Sequence, residues 1–427
     1  MKHAIIILDG AADLPLAELG ARTPLSAAHT PNLDALAQRG MLLTARTTPP
    51  GCSAGSDVCT MDLLGYDPRV YHTGRAPLEA AAVDMPMGDR DWVFRVNLIS
   101  TGGDAGAPTF LDHSAGAITD GEALGLFNGL LAHWRSACPE VARTLTLRHG
   151  VSYRASMVDA WGHGYAGVRT TPPHDVPGER ISSRLPTPIG SGGEESVSSA
   201  THTEHATEAA VRLRTLIEAS REFLARHPVN ARRRAAGLRT ADLAWPWGQG
   251  TKPQMPQFAE RYGVRGAMIT AVDLLAGIAR LIGWERLDVP GVTSYHDTDY
   301  AAQGTHAAAA LDRFDLIVCH VEAPDEASHQ GDWRTKVAAI EAIDEKVVAP
   351  IVRKLESFGP GTWRIMALPD HFTLVSTKKH DATPVPVLMA GAGIAPSGAS
   401  QYDEAAAMAA GVHLEEGHDL MAKFLTA

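Results

Sequence analysis

Apolar residues fall along this chain in two alternating patterns. Residues 4–8 (Ala4, Ile5, Ile6, Ile7, Leu8) form an unbroken apolar run that ends at Asp9-Gly10. Such a run predicts a strand buried on both faces of a parallel sheet. Comparable runs at 41–47, 267–270, 311–321, 363–368 and 385–389 predict further buried strands. Helical spacing separates them at 30–37, 272–282 and 333–358. Thr30 and Pro31 suit the cap and first position of one helix. Val337, Ile340, Ile343, Val347, Ile351 and Leu355 line one face of the longest. From residue 77 to 247 the character changes. Short apolar runs at 92–99 and 145–147 alternate with loops, and helices are predicted at 122–134 and 208–226. Residues 176–207 are rich in Ser, Thr, Gly and Pro without apolar periodicity, which predicts a mobile loop. The pattern therefore predicts an α/β protein: a mostly parallel sheet over residues 1–76 and 252–427, interrupted by an inserted α+β domain over residues 77–251.

Composition narrows the function. Hydrophobic residues make up 45% of the 427 and charged residues 20%, the balance of a soluble globular protein. A net charge of −11 argues against nucleic acid or anionic membrane as a partner. A small anionic substrate stays open, because local cations can invert the field within one cleft. The four cysteines (Cys52, Cys59, Cys138, Cys319) form no CxxC pair, as expected in a reducing cytoplasm. The N-terminal apolar run meets an acid too soon for a signal peptide, and no run of 18 apolar residues predicts a membrane span. A cytoplasmic enzyme is expected, with an oligomer open.

Candidate chemistry sits at predicted strand ends. Gly51-Cys52-Ser53-Ala54-Gly55-Ser56-Asp57 follows Pro49-Pro50 and opens a helix-like run. A helix N-terminus carries partial positive charge, so it suits a phosphate or a serine oxygen that must ionise. A plain N-cap is the bland alternative. Asp9, Asp325, His329, Asp370, His371 and His380 also lie beside predicted strands, where open α/β sheets bind ligands. Asp325 and His329, four apart, share one face of a helical turn. Carboxylates with imidazoles and no thiolate suit Mn²⁺, Zn²⁺ or Mg²⁺. Seven donors, counting Ser56, would fill two metal sites, an arrangement that clamps both oxygens of a phosphoryl displacement. Singly, each residue is more often structural.

Leu8-Asp9-Gly10-Ala11-Ala12-Asp13, Thr23-Pro24-Leu25 and Thr30-Pro31-Asn32-Leu33-Asp34 resemble the alkaline phosphatase superfamily. Gly55-Ser56-Asp57-Val58, Leu64-Gly65-Tyr66-Asp67-Pro68, Gly74-Arg75, Pro77-Leu78-Glu79-Ala80, Asp112-His113-Ser114-Ala115-Gly116, Pro324-Asp325-Glu326-Ala327-Ser328-His329 and Pro384-Val385-Pro386-Val387 resemble the archaeal-type cofactor-independent phosphoglycerate mutases. The resemblance covers most of the chain and is weakest over 176–207. It implies an alkaline-phosphatase-like core with the insert as a substrate-binding cap. It also implies two divalent ions, Mn²⁺ first, with Zn²⁺, Mg²⁺ or Co²⁺ as alternatives. Asp325, His329 and His380 would hold one, and Asp9, Ser56, Asp370 and His371 the other. Ser56 would become a phosphoserine in a 3-phosphoglycerate to 2-phosphoglycerate isomerase. In the cap, His113, Arg154, His174, Asp175 and Arg232 are candidates to bind the small phosphorylated acid, since Arg forks match phosphate and carboxylate.

Two departures stand out: Ala276 replaces a lysine of relatives, and Ser294 replaces a glycine. Lys252 or Arg280 could stand in for the lost cation. The segment Trp245-Pro246-Trp247-Gly248-Gln249-Gly250 is similar to one in bacterial relatives read as homoserine kinases. A homoserine-kinase-like phosphotransferase and a phosphatase are therefore the alternative readings.

Overall fold

The computed structural model describes residues 1–104, 106–189 and 200–426. They form two compact units, Met1–His72 with Gln254–Ala427, and Thr73–Pro253. The sequence boundaries at 76/77 and 251/252 are displaced by a few residues. Helix Arg75–Ala82 belongs with the insert because it packs on strands Trp92–Gly102 and Leu243–Thr251.

The first unit is built on an eight-stranded sheet. Its order is Glu285–Arg286, Gly266–Ile269, Leu316–Val321, Lys2–Leu8, Trp363–Leu368, Val385–Gly391, Met41–Ala45 and His413–Leu414. Only Val385–Gly391 runs antiparallel to its neighbours. Lys2–Leu8 is central, and Ile5, Ile6 and Ile7 are fully buried, which explains the unbroken apolar run. Register then builds the site. Leu8 pairs with Val321 and Ile7 with Leu368, so Asp9, Glu322 and Asp370 all emerge at the same edge of the sheet.

The predicted helix over 333–358 is continuous but not uniform. Helices Trp333–Ile343 and Ala349–Ser357 are joined by a π-helical turn, Asp344–Val348. Four-residue steps from Ile343 through Val347 and Ile351 to Leu355 would drift around an ideal helix, and the wider turn takes up that drift. All four side chains are buried. Asp344, buried in the turn, caps a different helix. Its carboxylate accepts from Asn32 N at 3.1 Å, Asn32 Nδ2 at 2.7 Å and Leu33 N at 2.8 Å, at the start of helix Pro31–Gln38. Thr30, expected as the cap, makes no side-chain capping bond.

In the second unit, strands Thr109–Asp112, Trp92–Gly102, Arg154–Asp159, Leu145–His149 and Leu243–Thr251 form an antiparallel sheet. Helices Asp120–Ala137 and Ala200–Arg226 pack together beside it around Phe94, Leu126, Leu130, Trp134, Leu213 and Leu216. The expected loop over 176–207 is only partly one. Val176 and Ile181 are buried against Trp245, Thr187–Pro188 forms a short strand, and the helix starts at Ala200. Two isolated apolar anchors leave no periodicity to read. Residues 190–199 of that expectation lie outside the described residues. Among the described residues, no helix is long and apolar enough to cross a membrane.

Candidate active site

Within the first unit, the strand edge gathers all seven sequence candidates. Ser56 is the first residue of helix Ser56–Leu63. Its Oγ donates to Asp9 Oδ2 at 3.1 Å and lies 3.4 Å from His371 Nε2. Asp9, Asp370 and His371 are at most 1% exposed, whereas Ser56 is half-buried. The hydroxyl is thus the member of this cluster that an incoming group can reach. Gly10, next to Asp9, has φ 59°, and a Cβ there would lie 2.5 Å from Asp325 Oδ1. Only glycine lets the loop pass this close.

Asp325 and His329 stand on helix Ala323–Gln330, with Oδ2 and Nε2 3.2 Å apart. His380 arrives differently from the expectation of a main-sheet strand end. It lies on a two-stranded hairpin, Phe372–Leu374 with Lys379–Asp381. Its Nε2 is 3.5 Å from Asp325 Oδ1 and 2.9 Å from His329 Nε2. His371 stacks on His380 with ring centroids 4.1 Å apart, linking the two ligand groups.

The donor set fits divalent cations. Asp9 Oδ1 and Asp370 Oδ2 are buried and receive no hydrogen bond. His329 Nδ1 and His380 Nδ1 face the carbonyl oxygens of Lys378 and Ala54 at 3.0 and 3.1 Å. Those contacts leave each Nε2 lone pair aimed at the cluster, as metal-binding imidazoles are held. Asp9, Asp370 and His371, and Asp325, His371 and His380, each place ligand atoms within 4.8 Å of one another. Electrostatics agrees. Burial, then the charges of Asp370 and Asp325, push the Asp9 carboxyl well above its usual range. Burial also works to raise Asp325, but hydrogen bonds from His329 and His380 outweigh it and hold that carboxyl far below. The hydrogen bond to Asp325 raises His329 to about 9, and burial lowers His371. Without cations, this cluster must carry protons on some of its ligands.

Three neighbours escaped the sequence reading. His320 Nε2 lies 2.7 Å from Asp9 Oδ2, while its Nδ1 meets Thr270 Oγ1 at 3.1 Å. Glu322 is a partly buried carboxylate that desolvation and then Asp9 push well above its usual range. Thr373 Oγ1 donates to Asp325 Oδ1 at 2.5 Å. An imidazole inside the otherwise apolar strand Leu316–Val321 was the one available signal.

The departures resolve into packing. Ala276 is fully buried on helix Asp273–Leu281, which packs against helix Ser56–Leu63, so the position points into the interior. Ser294 needs no glycine, because the left-handed residue of that loop is Gly291, with φ 82°.

In the second unit, four of the five cap candidates gather around aromatic rings. The His113 ring lies 6.0 Å from that of His174 and 5.5 Å from that of Tyr153. Arg154 covers Tyr153 at 5.4 Å, and His174 packs on Trp247 at 5.2 Å. Arg95 stacks on the Trp247 ring at 4.7 Å while pairing with Glu79. Asp175 Oδ1 is 3.5 Å from His174 Nε2. Arg232 is exposed on helix Pro228–Ala235, and among the described residues no contact joins it to this group. Its neighbour Arg233 turns inward to Glu122 and the carbonyl oxygen of Ala115.

A model of the 2,3-bisphosphoglycerate-independent phosphoglycerate mutase family matches residues 37–230. The chain is 42% identical over 421 residues to 2,3-bisphosphoglycerate-independent phosphoglycerate mutase 2 of Methanothermobacter thermautotrophicus, covering 99% of this chain and 96% of that protein. The corresponding enzyme of Methanothrix thermoacetophila is 40% identical over 421 residues, covering 99% and 98%. A solved Pyrococcus horikoshii protein shares the fold at TM-score 0.79 and 26% identity, covering 99% and 96%. The cofactor-independent phosphoglycerate mutase of Thermoplasma acidophilum shares it at TM-score 0.68 and 24% identity, covering 100% and 99%. With likeness running the whole length, the chain belongs to the 2,3-bisphosphoglycerate-independent phosphoglycerate mutase family.

Proposed function

We propose that the chain interconverts 3-phosphoglycerate and 2-phosphoglycerate through a phosphoserine on Ser56. The observation that carries this is Ser56, a half-buried residue at a helix start with its Oγ 3.1 Å from Asp9, in a chain whose full-length relatives are named for that activity. In the first half-reaction the Ser56 oxygen attacks phosphorus, and the bond from phosphorus to the C3 oxygen breaks. The hydroxyl proton already lies on a hydrogen bond to Asp9 Oδ2, the acceptor available to take it. The departing C3 oxygen takes that proton from Asp9, and the glycerate turns. Its C2 hydroxyl then attacks phosphorus and gives its proton to Asp9, the bond from phosphorus to the Ser56 oxygen breaks, and Asp9 returns the proton to Ser56. The N–H groups at the start of helix Ser56–Leu63 favour negative charge on the oxygen throughout.

Asp325, His329 and His380 would hold one divalent ion, and Asp9, Asp370, His371 and Ser56 the other, Mn²⁺ first with Zn²⁺, Mg²⁺ or Co²⁺ as alternatives. Bound there, such ions supply Lewis acidity and offset charge on the transferred group. Within the inserted unit, Arg154, His174, His113 and Asp175, with Arg95 beside them, offer the charges and hydrogen-bonding groups that suit the carboxylate and hydroxyls of a glycerate.

The test is interconversion without bisphosphoglycerate or ATP, beside acid-stable labelling of Ser56 by substrate. Ser56→Ala should lose several orders of magnitude in kcat while keeping its fold and most of its metal. Near-normal turnover by Ser56→Ala overturns the phosphoserine route. ATP-dependent homoserine phosphorylation, or phosphate release without isomer formation, would replace the mutase with one of the alternatives.

A further inference from the structure

Helix Ser56–Leu63 carries Ser56 at one end and a second acid, Asp62, near the other. At about 1.5 Å per residue the two lie roughly 9 Å apart along the axis. Asp62 is 0% exposed, and neither carboxylate oxygen receives a hydrogen bond. A fully desolvated carboxylate without a donor is among the costliest groups a fold can bury. It faces His418, whose Nδ1 is 3.4 Å from Asp62 Oδ1 and is itself buried without a hydrogen-bond partner. Asp67 completes the group, with ligand atoms of all three residues within 4.8 Å of one another.

The surroundings favour a cation. Asp67, Glu416 and Asp419 add negative potential at Asp62, and Arg69 is the cation that opposes them. Its guanidinium does not reach Asp62 in a hydrogen bond: it is spread between Asp67 at 2.9 Å and Glu416 at 2.7 Å. That fork, with the Arg69 N–H, engages both Asp67 oxygens and fixes the carboxylate's orientation, so an ion there shares Asp67 with Arg69. Gly417 brings the C-terminal turn against Asp62, where any side chain would collide with Oδ2. Asp67 and His418 are 20% and 22% exposed, so the group opens to solvent on one side.

We propose that Asp62, Asp67 and His418 form a further metal site, for a divalent first-row ion such as Zn²⁺ or Mn²⁺, separate from the catalytic cluster. Two carboxylate oxygens and one imidazole nitrogen match the borderline character of these ions, with water completing the shell. Occupancy ties the turn Gly417–Asp419 to the far end of the nucleophile helix. Burial, then Asp67, pushes the Asp62 carboxyl up to about 8, so in the ion-free chain a proton takes the cation's place.

The experiment counts ions and does not depend on turnover, so its failure is distinct from failure of the mutase reading. The full chain and an Asp325→Asn/His371→Ala variant are stripped with chelator, reloaded with Zn²⁺, desalted and analysed for bound metal. The expected result is one ion retained by the double variant and lost when His418→Gln is added. Zn²⁺ should likewise raise the Tm of the double variant and not of its His418→Gln derivative. His418 stands at the open edge of the group, so this change tests the site even if Asp62→Asn fails to fold. Equal metal content with and without His418→Gln overturns the proposal, as does a double variant that binds no ion.

Discussion

Thr373 Oγ1 stands between two candidate ligands, donating to Asp325 Oδ1 at 2.5 Å and meeting His371 Nδ1 at 3.1 Å. Its single proton is spent on Asp325, so the imidazole must donate from Nδ1. That tautomer leaves the His371 Nε2 lone pair toward Asp9, Asp370 and Ser56. Lys336 supports the threonine from below. It is fully buried and donates to Thr373 O at 2.8 Å and Asp13 Oδ2 at 2.9 Å. Thr373→Val keeps the shape and removes the hydroxyl. It should weaken binding of the catalytic ions about 10- to 100-fold, as loss of such supporting contacts does, with the fold kept. Titration of the stripped protein with Mn²⁺ measures it, and unchanged affinity would show that the ligands orient themselves. Neither residue announced its role: a threonine after Asp370-His371 and a lysine in an amphipathic helix are ordinary until the strands bring them together.

Elements formed from contiguous apolar residues were the legible ones. The run at residues 4–8, the strands at 363–368 and 385–389, and the i,i+4 pair Asp325/His329 all follow from period and spacing. Contacts between distant elements were not legible. Helix Pro31–Gln38 is capped by Asp344 across the fold, so the local cap signal at Thr30 misled. His380 reaches the cluster on a hairpin whose pairing leaves no apolar alternation. Arg232 and Arg233 read alike in sequence, yet one faces solvent and the other is buried. Asp344→Ala removes the acceptor for the first-turn amides of helix Pro31–Gln38. We expect a loss of about 1–2 kcal/mol, in the range of other lost caps, with faster hydrogen exchange at Asn32 and Leu33. Unchanged exchange there would mean that solvent replaces the carboxylate without cost.

Across the whole molecule, stability should depend on pH and metal together. Asp325 raises the His329 pKa from 6.5 to about 9 in the folded, ion-free chain. A raised folded-state value stabilises fully below about pH 6.5 and fades as pH rises through about 9. Chelated protein should therefore lose Tm across that window, and His329→Ala should flatten the loss. Ion binding uses neutral imidazole and strengthens over the same range, so the loaded protein should fall less. Melting curves at stepped pH, with and without chelator, check both. An ion-free Tm that rises between pH 6.5 and 9 would contradict the assignment.

The central place of Lys2–Leu8 also has a meaning in time. On the ribosome this strand is made before the rest of its sheet, and both its neighbours, Leu316–Val321 and Trp363–Leu368, come late. At about 5–20 residues per second, it emerges roughly 15–60 s before the nearer partner exists. Throughout that interval its isoleucines have no sheet to join, while before its end all five strands of the inserted unit's larger sheet are made. The nascent chain thus carries an unpaired apolar segment through most of its synthesis, and reaching the native sheet depends on keeping that segment from other partners until residues 316–368 arrive.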